Sequence, residues 1–432
     1  MQKRTATDGK RRSRRGGTGE ACSRPSPGHA PGRLGQGRSI VQCNDVTQIF
    51  STKNIIAEVI ESGIMTRKLI YDLDLPALTE LLAGWGQPAY RARQTWQGLY
   101  QNLWNRPDEF SNLPKPLREK LAAELTFDAL TPTLKLDSSD GQTRKTLFKL
   151  PDGRQIEAVL MRYDPSTGSG QAPSAGSGQV PETYQGRTRR TLCISTQVGC
   201  AMGCTFCATG QMGFSRHLSS GEIVAQVMYY ARMLHEQGES VTNIVLMGMG
   251  EPFHNYDNTM AAIDRLNDPE GYNFGARRFT ISTSGLVPAI RRFAEEKRQV
   301  NLAVSLHAVE DAPRSAMMPV NKRYNIAELL TACRNYVNAT SRRITFEWAL
   351  IHGVNDTPEV AQKLASLLKG MLCHVNAIPL NPTTGYTGKA TTRERAEAFR
   401  QVLEQNGIPC TIRVRRGIDI QAGCGQLASR AG

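Results

Sequence analysis

The chain reads Cys200-Ala-Met-Gly-Cys204-Thr-Phe-Cys207 directly after an apolar, β-like run from Arg190 to Val198. Three cysteines at this CxxxCxxC spacing can each ligate one iron of a 4Fe–4S cube, which leaves the fourth iron open for another ligand. Gly199 and Gly203 permit the backbone torsions that a loop around a cube needs, and their small size lets a cluster approach the main chain. The stretch therefore predicts a cluster-binding loop at the mouth of a strand.

A structural zinc ion and three free thiols are the alternatives for this loop. Zinc takes four ligands and favours CxxC pairs or paired histidines, and no fourth ligand stands close by in the sequence. Because ligand type and spacing are diagnostic of the metal, the pattern favours iron and sulfur over zinc.

Strand and helix patterns alternate from Arg189 onward, which predicts a parallel sheet and an α/β fold. The candidate strands are 190–197, 243–248, 279–283, 301–306, 344–350, 374–379 and 410–415, and the candidate helices are 219–236, 257–267, 287–297, 325–338, 357–369 and 392–406. Ser219 and Glu222 predict a capping box at the first of these helices. Six βα units are too few to close an eight-fold barrel, so we predict a partial (βα)6 barrel with its sites at the C-terminal strand ends.

The region before the barrel divides into two predicted parts. Residues 65–135 predict a small helical accessory domain, whose apolar stripe comprises Trp96, Leu99, Tyr100, Leu103 and Trp104. Its cations either meet RNA phosphates or form a solvated face; they are Arg91, Arg93, Lys115, Arg118 and Lys120.

Residues 136–188 predict a β-hairpin followed by a linker. The hairpin joins 143–150 to 154–163 through Pro151-Asp152-Gly153, and 165–181 is rich in Gly and Ser. The barrel would then occupy 189–432 and carry a cysteine loop near its end.

Composition limits the class of protein. The 432 residues are 40% hydrophobic and contain no apolar run long enough to span a membrane and no secretory signal, which predicts a cytoplasmic protein with no membrane partner and reduced cysteines. Of the net charge of +14, residues 1–38 carry +8, from ten Lys or Arg against Asp8 and Glu20, and the remaining chain carries +6. The basic tail 1–64 is predicted to be disordered, and it either touches nucleic acid without specificity or is a solvated extension.

Polar and Gly-containing clusters fall where four predicted strands stop. The carbonyls and carboxylate of Gly248-Met-Gly250-Glu251-Pro252 suit a protonated amine. Ser282-Thr283-Ser284-Gly285, Ser305-Leu306-His307 and Asn381-Pro382 offer partners for a ribose, a carboxylate or an adenine. His307 by itself is equally compatible with a buried, hydrogen-bonded core histidine.

One cysteine outside the loop has the surroundings of an attacking thiol. Gly423 and Gly425 place Cys424 on a flexible, uncovered loop. A small buried hydrophobe is the ordinary role of a lone cysteine, and it suits the others better; these are Cys193, Cys333, Cys373 and Cys410.

Taken together, these motifs resemble the RlmN/Cfr family of radical S-adenosylmethionine (SAM) rRNA methyltransferases, and its RlmN branch in particular. The resemblance runs from about residue 70 to 428. It rests on the cluster loop with its continuation Ala208-Thr-Gly-Gln-Met-Gly-Phe214, on GMGEP, STSG, SLHA and PLNP, and on the C-terminal RRGIDIQAGCGQL. Gly423 stands where the pattern has alanine.

The resemblance implies a radical SAM barrel that methylates carbon 2 of an adenosine in 23S rRNA and of the adenosine beside the anticodon in tRNA. It implies a 4Fe–4S cluster on Cys200, Cys204 and Cys207, and two SAM molecules per turnover. It implies a SAM pocket that comprises Gly250, Glu251, Ser282, Ser305, Leu306, His307 and Asn381.

The resemblance also implies residue roles and partners. Cys424 would carry the methyl group as S-methylcysteine, Cys193 would resolve the adduct and form a disulfide, and Glu157 would accept a proton, although by itself Glu157 reads as a surface carboxylate. Flavodoxin or ferredoxin would supply electrons. Phosphates of the RNA would meet Arg187, Arg189, Arg190, Arg413, Arg415 and Arg416.

Two other functions remain open. Carbon-8 methylation of the same adenosine, the Cfr outcome that confers antibiotic resistance, shares all of these motifs. A non-catalytic RNA-binding protein with an iron–sulfur cluster or zinc is the second, and both the Cys424 loop and GMGEP argue against it.

Overall fold

One ten-stranded sheet organises the computed structural model, which describes residues 67–163 and 188–429. The predictions for the tail 1–64, the insert 165–181 and Arg187 lie outside these residues. No helix in the described ranges is long and apolar enough to cross a membrane.

The first described residues are mainly helical. Strand β1 (Lys68–Leu69) pairs in parallel with β2 (Leu125–Thr126), and between them lie α1 (Leu75–Gly84), α2 (Ala89–Tyr100) and α3 (Lys115–Glu124). The predicted stripe is only partly on one helix, because α2 ends at Tyr100 and Leu103 takes a left-handed φ of 62°. The chain turns there, and Trp104 packs edge-on against Phe110 instead of extending the helix.

Three antiparallel strands follow, and they extend the main sheet. They are β3 (Thr131–Asp137), β4 (Thr143–Lys149) and β5 (Gln155–Tyr163), and the predicted β4–β5 hairpin and its turn at Gly153 are confirmed. The predicted domain boundary at residue 135 falls within β3, an edge strand whose mostly exposed side chains give a weak apolar pattern. Strand β5 pairs with the first barrel strand, so the hairpin is not separate from the barrel sheet.

The predicted partial barrel is confirmed. Its parallel strands pair in chain order, and they are β6 (Arg189–Cys193), β9 (Asn243–Leu246), β10 (Phe279–Thr283), β11 (Asn301–Ser305), β12 (Ile344–Leu350), β13 (Cys373–Pro379) and β14 (Cys410–Ile412). The sheet is open, since β14 and β3 form its two edges. The carboxyl ends of its parallel strands meet at one edge, where sites of such folds lie.

Helices connect these strands, close to the predicted positions. They are α5 (Ser220–His235), α6 (Tyr256–Asn267), α7 (Val287–Glu295), α9 (Ile326–Thr340), α10 (Pro358–Leu368) and α11 (Arg393–Gln405), with a further short helix α8 (Asp311–Met317). The capping box is confirmed: Ser219 Oγ accepts from the Glu222 N–H at 3.1 Å, and the Glu222 carboxylate accepts from the Ser219 N–H at 2.9 Å.

Candidate active site

A two-stranded ribbon holds the ends of the cluster loop together. Strand β7 (Gln197–Gly199) pairs antiparallel with β8 (Phe214–His217), and the short helix α4 (Ala208–Gln211) lies within the loop that they close. The Cys200 N–H donates to the Gly213 carbonyl at 2.8 Å. Gly199 and Gly203 have φ of 74° and 63°, so both take the left-handed torsions that the sequence predicted.

Gly199→Ala tests this closure. An added Cβ would overlap the Gly213 carbonyl oxygen, so we expect anaerobically reconstituted protein to lose most of its iron. Gly213→Ala is the matched control, because Gly213 has a similar φ of 76° but nothing lies within 4 Å of the added Cβ. Iron content per chain is the measurement, and equal iron in both variants would contradict the role of Gly199.

The loop cysteines have the environment of cluster ligands. All three are partly buried and free in this structure. Burial raises the pKa of Cys200 to about 12 and that of Cys204 well above its usual value, so thiolates form here only beside a compensating cation such as iron. Among residues 67–163 and 188–429, no three Cys, His, Asp or Glu side chains converge on a single metal ion. A 4Fe–4S cube takes its cysteines on separate irons, so its ligands need not converge on a single ion.

The loop faces a cavity of about 180 Å³ at the carboxyl ends of the strands, here called the cluster cavity. Its walls bring together most of the predicted site: Cys200, Cys204, Cys207, Gly250, Glu251, Ser282, Ser305, His307, Asn381 and Cys424. Leu306 does not line it, because its side chain is fully buried and its carbonyl accepts from Arg314 at 3.1 Å. The cavity combines a charged group, hydroxyls, an amide and apolar walls, as a nucleoside with a charged tail requires.

Glu251 is a buried carboxylate held by backbone donors. Its oxygens accept from the Ser284 N–H at 2.7 Å and from the Phe253 N–H at 3.1 Å. Burial raises the pKa of Glu251, and these hydrogen bonds oppose that rise. Gly250, with φ of 103°, makes the turn that aims this segment at the cavity.

His307 is both a hydrogen-bonded buried histidine and a wall of the cavity. Its Nδ1 accepts from the Ala349 N–H at 2.9 Å, which assigns the proton of the neutral ring to Nε2. Burial lowers the pKa of His307 to about 3, so the ring is neutral throughout the physiological range. It meets Phe206 of the cluster loop edge-on, with ring centroids 5.0 Å apart.

Asn381 links the cavity to the cysteine loop. Its Nδ2 donates to the Cys424 carbonyl at 3.0 Å. Its Oδ1 is buried, and among the described residues it has no hydrogen-bond partner. A buried orphan acceptor is costly, so a donor from a bound molecule, such as a SAM hydroxyl or amine, fits here.

A second cavity of about 50 Å³, here called the thiol cavity, adjoins the first. Cys424 lines both cavities, and Cys193 and Arg413 line the thiol cavity. Cys193 is buried at the end of β6, where burial raises its pKa to about 12 and the guanidinium of Arg413 opposes the rise. The same two causes act on Cys424, whose pKa is also raised.

The Cys424 loop is open toward the two cavities, as predicted. Hydrogen bonds hold its backbone in place, however, and the sequence analysis had predicted a flexible loop. The Ala208 N–H donates to the Gly425 carbonyl at 2.7 Å, and Thr209 Oγ1 donates to the Leu427 carbonyl at 2.6 Å. The close approach of Asn381 explains the glycine at position 423, since an added Cβ would lie 2.7 Å from Asn381 Nδ2.

Glu157 is not the surface carboxylate that the sequence suggested. Its side chain is 2% exposed, and neither cavity includes it. One oxygen lies 3.1 Å from Lys145 Nζ, and the other accepts from the Ala428 N–H at 3.0 Å. It nevertheless shares a face of β5 with Met161 and Tyr163, which line the thiol cavity.

The predicted phosphate contacts divide into two groups. Arg190 pairs with Glu239, so its charge is already compensated. Arg413, Arg415 and Arg416 line the thiol cavity, and Arg416 lies 4.6 Å from the centre of the Tyr163 ring. Cations beside an aromatic ring at a cavity mouth suit a nucleic acid.

The cations of the N-terminal helices all have partners within the chain. Arg93 pairs with Glu270 and Lys115 with Glu119, while Lys120 lies over the Trp85 ring. Arg91 and Arg118 donate to the backbone carbonyls of Asn112 and Asp108.

Sequence reasoning missed Glu347. It lies in the middle of β12, lines the cluster cavity and accepts from Asn376 Nδ2 at 2.6 Å, and Asn376 in turn accepts from Arg413 Nε at 3.2 Å. Burial raises the pKa of Glu347. A charged residue within the apolar run 344–350 was the signal that could have revealed it.

Comparisons with known proteins agree with this site. Residues 194–365 match the radical SAM superfamily, and residues 69–126 match the N-terminal domain of ribosomal RNA large subunit methyltransferases. A dual-specificity RNA methyltransferase, RlmN 1 of Myxococcus xanthus, is 49% identical over 358 residues, which cover 83% of this chain and 93% of the relative. The crystal structure of a radical SAM methyltransferase from Sphaerobacter thermophilus is 50% identical, covers 84% of this chain and 100% of its own, and superposes with a TM-score of 0.77.

Superfamily membership implies a 4Fe–4S cluster and SAM. The three partly buried loop cysteines fit the cluster, and Glu251 and the unpaired Oδ1 of Asn381 fit SAM. The relatives are named as RNA methyltransferases, and the matched N-terminal model is named for ribosomal RNA large subunit methyltransferases. This chain belongs to the RlmN family of dual-specificity RNA methyltransferases, within the radical SAM superfamily.

Proposed function

We propose that this chain methylates carbon 2 of an adenosine in 23S rRNA, and of the adenosine beside the anticodon in tRNA, through a methyl group carried on Cys424. The observation that carries the proposal is that Cys424 lines both cavities, so one sulfur adjoins the cluster cysteines on one side and Cys193 on the other. The dual specificity in the name of the Myxococcus xanthus relative supports two RNA substrates.

The target atom explains why a sulfur carrier is needed. Carbon 2 of adenine is electrophilic and has no lone pair, so it does not attack the methyl group of SAM directly. When bound, the cluster on Cys200, Cys204 and Cys207 and a SAM molecule supply a 5′-deoxyadenosyl radical, after flavodoxin or ferredoxin delivers one electron.

Cys424 and Cys193 then perform the transfer. The Cys424 thiolate first takes a methyl group from one SAM and releases S-adenosylhomocysteine, so each turnover consumes two SAM molecules. The S-methyl group gives up a hydrogen atom to the radical, and the resulting carbon bonds to carbon 2 of the adenine. The adduct would return one electron to the oxidised cluster held by Cys200, Cys204 and Cys207, and Glu157 would accept its carbon-2 proton. The Cys193 thiolate attacks the Cys424 sulfur, the freed carbon takes a proton, and two electrons later reduce the disulfide.

The surroundings of the two thiols support these roles. Arg413 opposes the effect of burial on the pKa of both cysteines, which favours the thiolates that attack. Asn381 fixes the backbone at Cys424. Glu157 lies on the face of β5 that leads to the thiol cavity, which supports its carboxylate as the proton acceptor.

Labelled SAM tests the sulfur carrier. With a trideuterated methyl group on SAM, we expect the product methyl to retain two deuteriums after several turnovers, and 5′-deoxyadenosine to gain one. The physical reason is that a deuterium atom leaves while the carbon is attached to Cys424, and a solvent proton replaces it. Mass spectrometry of digested RNA is the measurement, and a product that retains all three deuteriums would indicate direct transfer and defeat the proposal.

Nucleoside analysis identifies the target atom. In rRNA and tRNA from a host that lacks its own enzyme and expresses this chain, we expect 2-methyladenosine in both RNAs. Chromatography against 2-methyladenosine and 8-methyladenosine standards distinguishes the carbons. The appearance of 8-methyladenosine alone would assign the Cfr reaction instead, and 2-methyladenosine in rRNA alone would remove tRNA from the proposal.

A further inference from the structure

A buried ion pair joins the hairpin to both ends of the Cys424 loop. Lys145 on β4 and Glu157 on β5 are diagonal cross-strand neighbours, since Lys145 pairs with Val159 and Leu147 with Glu157. Lys145 Nζ lies 3.1 Å from Glu157 Oε1, and the two side chains are 9% and 2% exposed.

Each member of the pair also binds the backbone of the loop. Lys145 Nζ donates to the Gln421 carbonyl at 3.3 Å, three residues before Cys424. Glu157 Oε2 accepts from the Ala428 N–H at 3.0 Å, four residues after it. The sheet therefore holds the segment that presents Cys424 from both sides, through one charged pair.

The backbone torsion of Gln421 explains why the loop needs these two contacts. Gln421 has a φ of 53°, a left-handed torsion that a residue with a side chain adopts at a cost. Such torsions persist where neighbouring groups fix them, and they concentrate at functional sites. The carbonyl of Gln421 is the group that Lys145 binds, so the lysine acts on the strained residue itself.

Stability alone is a poor explanation of the pair. Taking two charges out of water offsets much of their attraction, so buried pairs are weak evidence for a stabilising role. Their charge-assisted hydrogen bonds are directional, however, and they fix the groups that accept or donate them.

We infer that Lys145 is a positioning residue: through the Gln421 carbonyl, and through Glu157 to the Ala428 N–H, it holds the Cys424 sulfur at the boundary of the two cavities. The inference rests on the proposed role of Cys424 as methyl carrier. The inference also gives Glu157 a second role besides accepting a proton, because the same carboxylate binds the backbone of the Cys424 loop.

Lys145→Met tests the inference against Lys149→Met. Lys149 lies on the same strand and face but is exposed at its end, so the control makes the same chemical change away from the loop. In reconstituted protein we expect iodoacetamide to alkylate Cys424 about tenfold faster in Lys145→Met than in Lys149→Met, because the loop is released. Mass spectrometry of the peptide with Cys424 gives the rate, and Lys145→Arg, which keeps a cation, should restore most of the protection.

Turnover provides the second readout. We expect Lys145→Met to form 5′-deoxyadenosine with an unchanged KM for SAM, while the yield of methylated RNA per 5′-deoxyadenosine falls about tenfold. A defect in the whole fold would instead lower the iron content, the Tm and the rates at which 5′-deoxyadenosine and methylated RNA form.

Equal alkylation rates in Lys145→Met and Lys149→Met would overturn the inference, as would a faster rate that appears only with iron loss and a lower Tm. Alkylation reports the position of the unmethylated Cys424 thiol, and it requires no methyl transfer. Failure of the proposed function would therefore appear in the labelled-SAM experiment and leave the alkylation result intact.

Discussion

Replacement of Cys424 by alanine is expected to abolish RNA methylation while SAM cleavage continues. The variant lacks the sulfur that accepts the methyl group. Without this nucleophile the covalent intermediate cannot form. We expect product to fall below roughly one thousandth of the wild-type level. Formation of 5′-deoxyadenosine should persist, because the substitution removes only the Cys424 sulfur and leaves the three cluster cysteines and Glu251 in the cavity wall. Chromatography of methylated nucleosides and 5′-deoxyadenosine from the same anaerobic reaction shows whether SAM cleavage continues without methylation.

Cys373→Ala is the control for this variant. Cys373 is a buried cysteine in β13 that lines neither cavity, and alanine removes only a small apolar contact. It should methylate RNA at close to the wild-type rate. Normal methylation by Cys424→Ala would refute the role of Cys424, and loss in both variants would indicate damage to the fold.

Replacement of Cys193 by alanine is expected to trap a covalent bond between protein and RNA. Cys193 and Cys424 line the same thiol cavity, and in the proposed reaction only attack by Cys193 separates the Cys424 sulfur from the methylated adenine. With Cys193 absent, the adduct forms and remains. A labelled RNA should then migrate with the protein under denaturing conditions, and nuclease digestion should leave one adenosine on the peptide that contains Cys424.

The double variant Cys193→Ala/Cys424→Ala is the matched control, and it should give no adduct because the attachment atom is gone. Thiol reagents should not release the RNA from the single variant, since the link is a thioether. Clean turnover by Cys193→Ala, or an adduct that survives in the double variant, would contradict the resolving role.

Much of the fold followed from patterns that are local in the chain. Alternating strand and helix periods located the parallel strands and their helices within a few residues, because period 2 and period 3.6 arise from backbone geometry. The capping box at Ser219 and the turn at Gly153 were predictable for the same reason, since each depends on a few neighbouring residues. The helix end at Tyr100 was not predictable, because the chain turns at Leu103 within the apolar stripe. The edge strand Thr131–Asp137 was not predictable either, because its exposed side chains give a weak apolar pattern.

The site divides in the same way. Spacing alone predicted a cluster loop at Cys200, Cys204 and Cys207, and the positions of strand ends predicted that Glu251, His307 and Asn381 would share a cavity, as they do. Leu306 was expected beside them, but its side chain turns into the core. Glu347 was overlooked, although a carboxylate within the apolar run 344–350 marked its position.

The sequence by itself determined the cysteine trio, the order of strands and helices and the family, since these depend on residue type and on spacing along the chain. Only the tertiary structure decided that Cys424 adjoins both Cys193 and the cluster cysteines, and that Lys145 and Glu157 hold the loop around it. The Cys424 loop lies more than two hundred residues along the chain from each of these other groups. Hydrogen bonds and burial between distant segments bring the loop and those groups together.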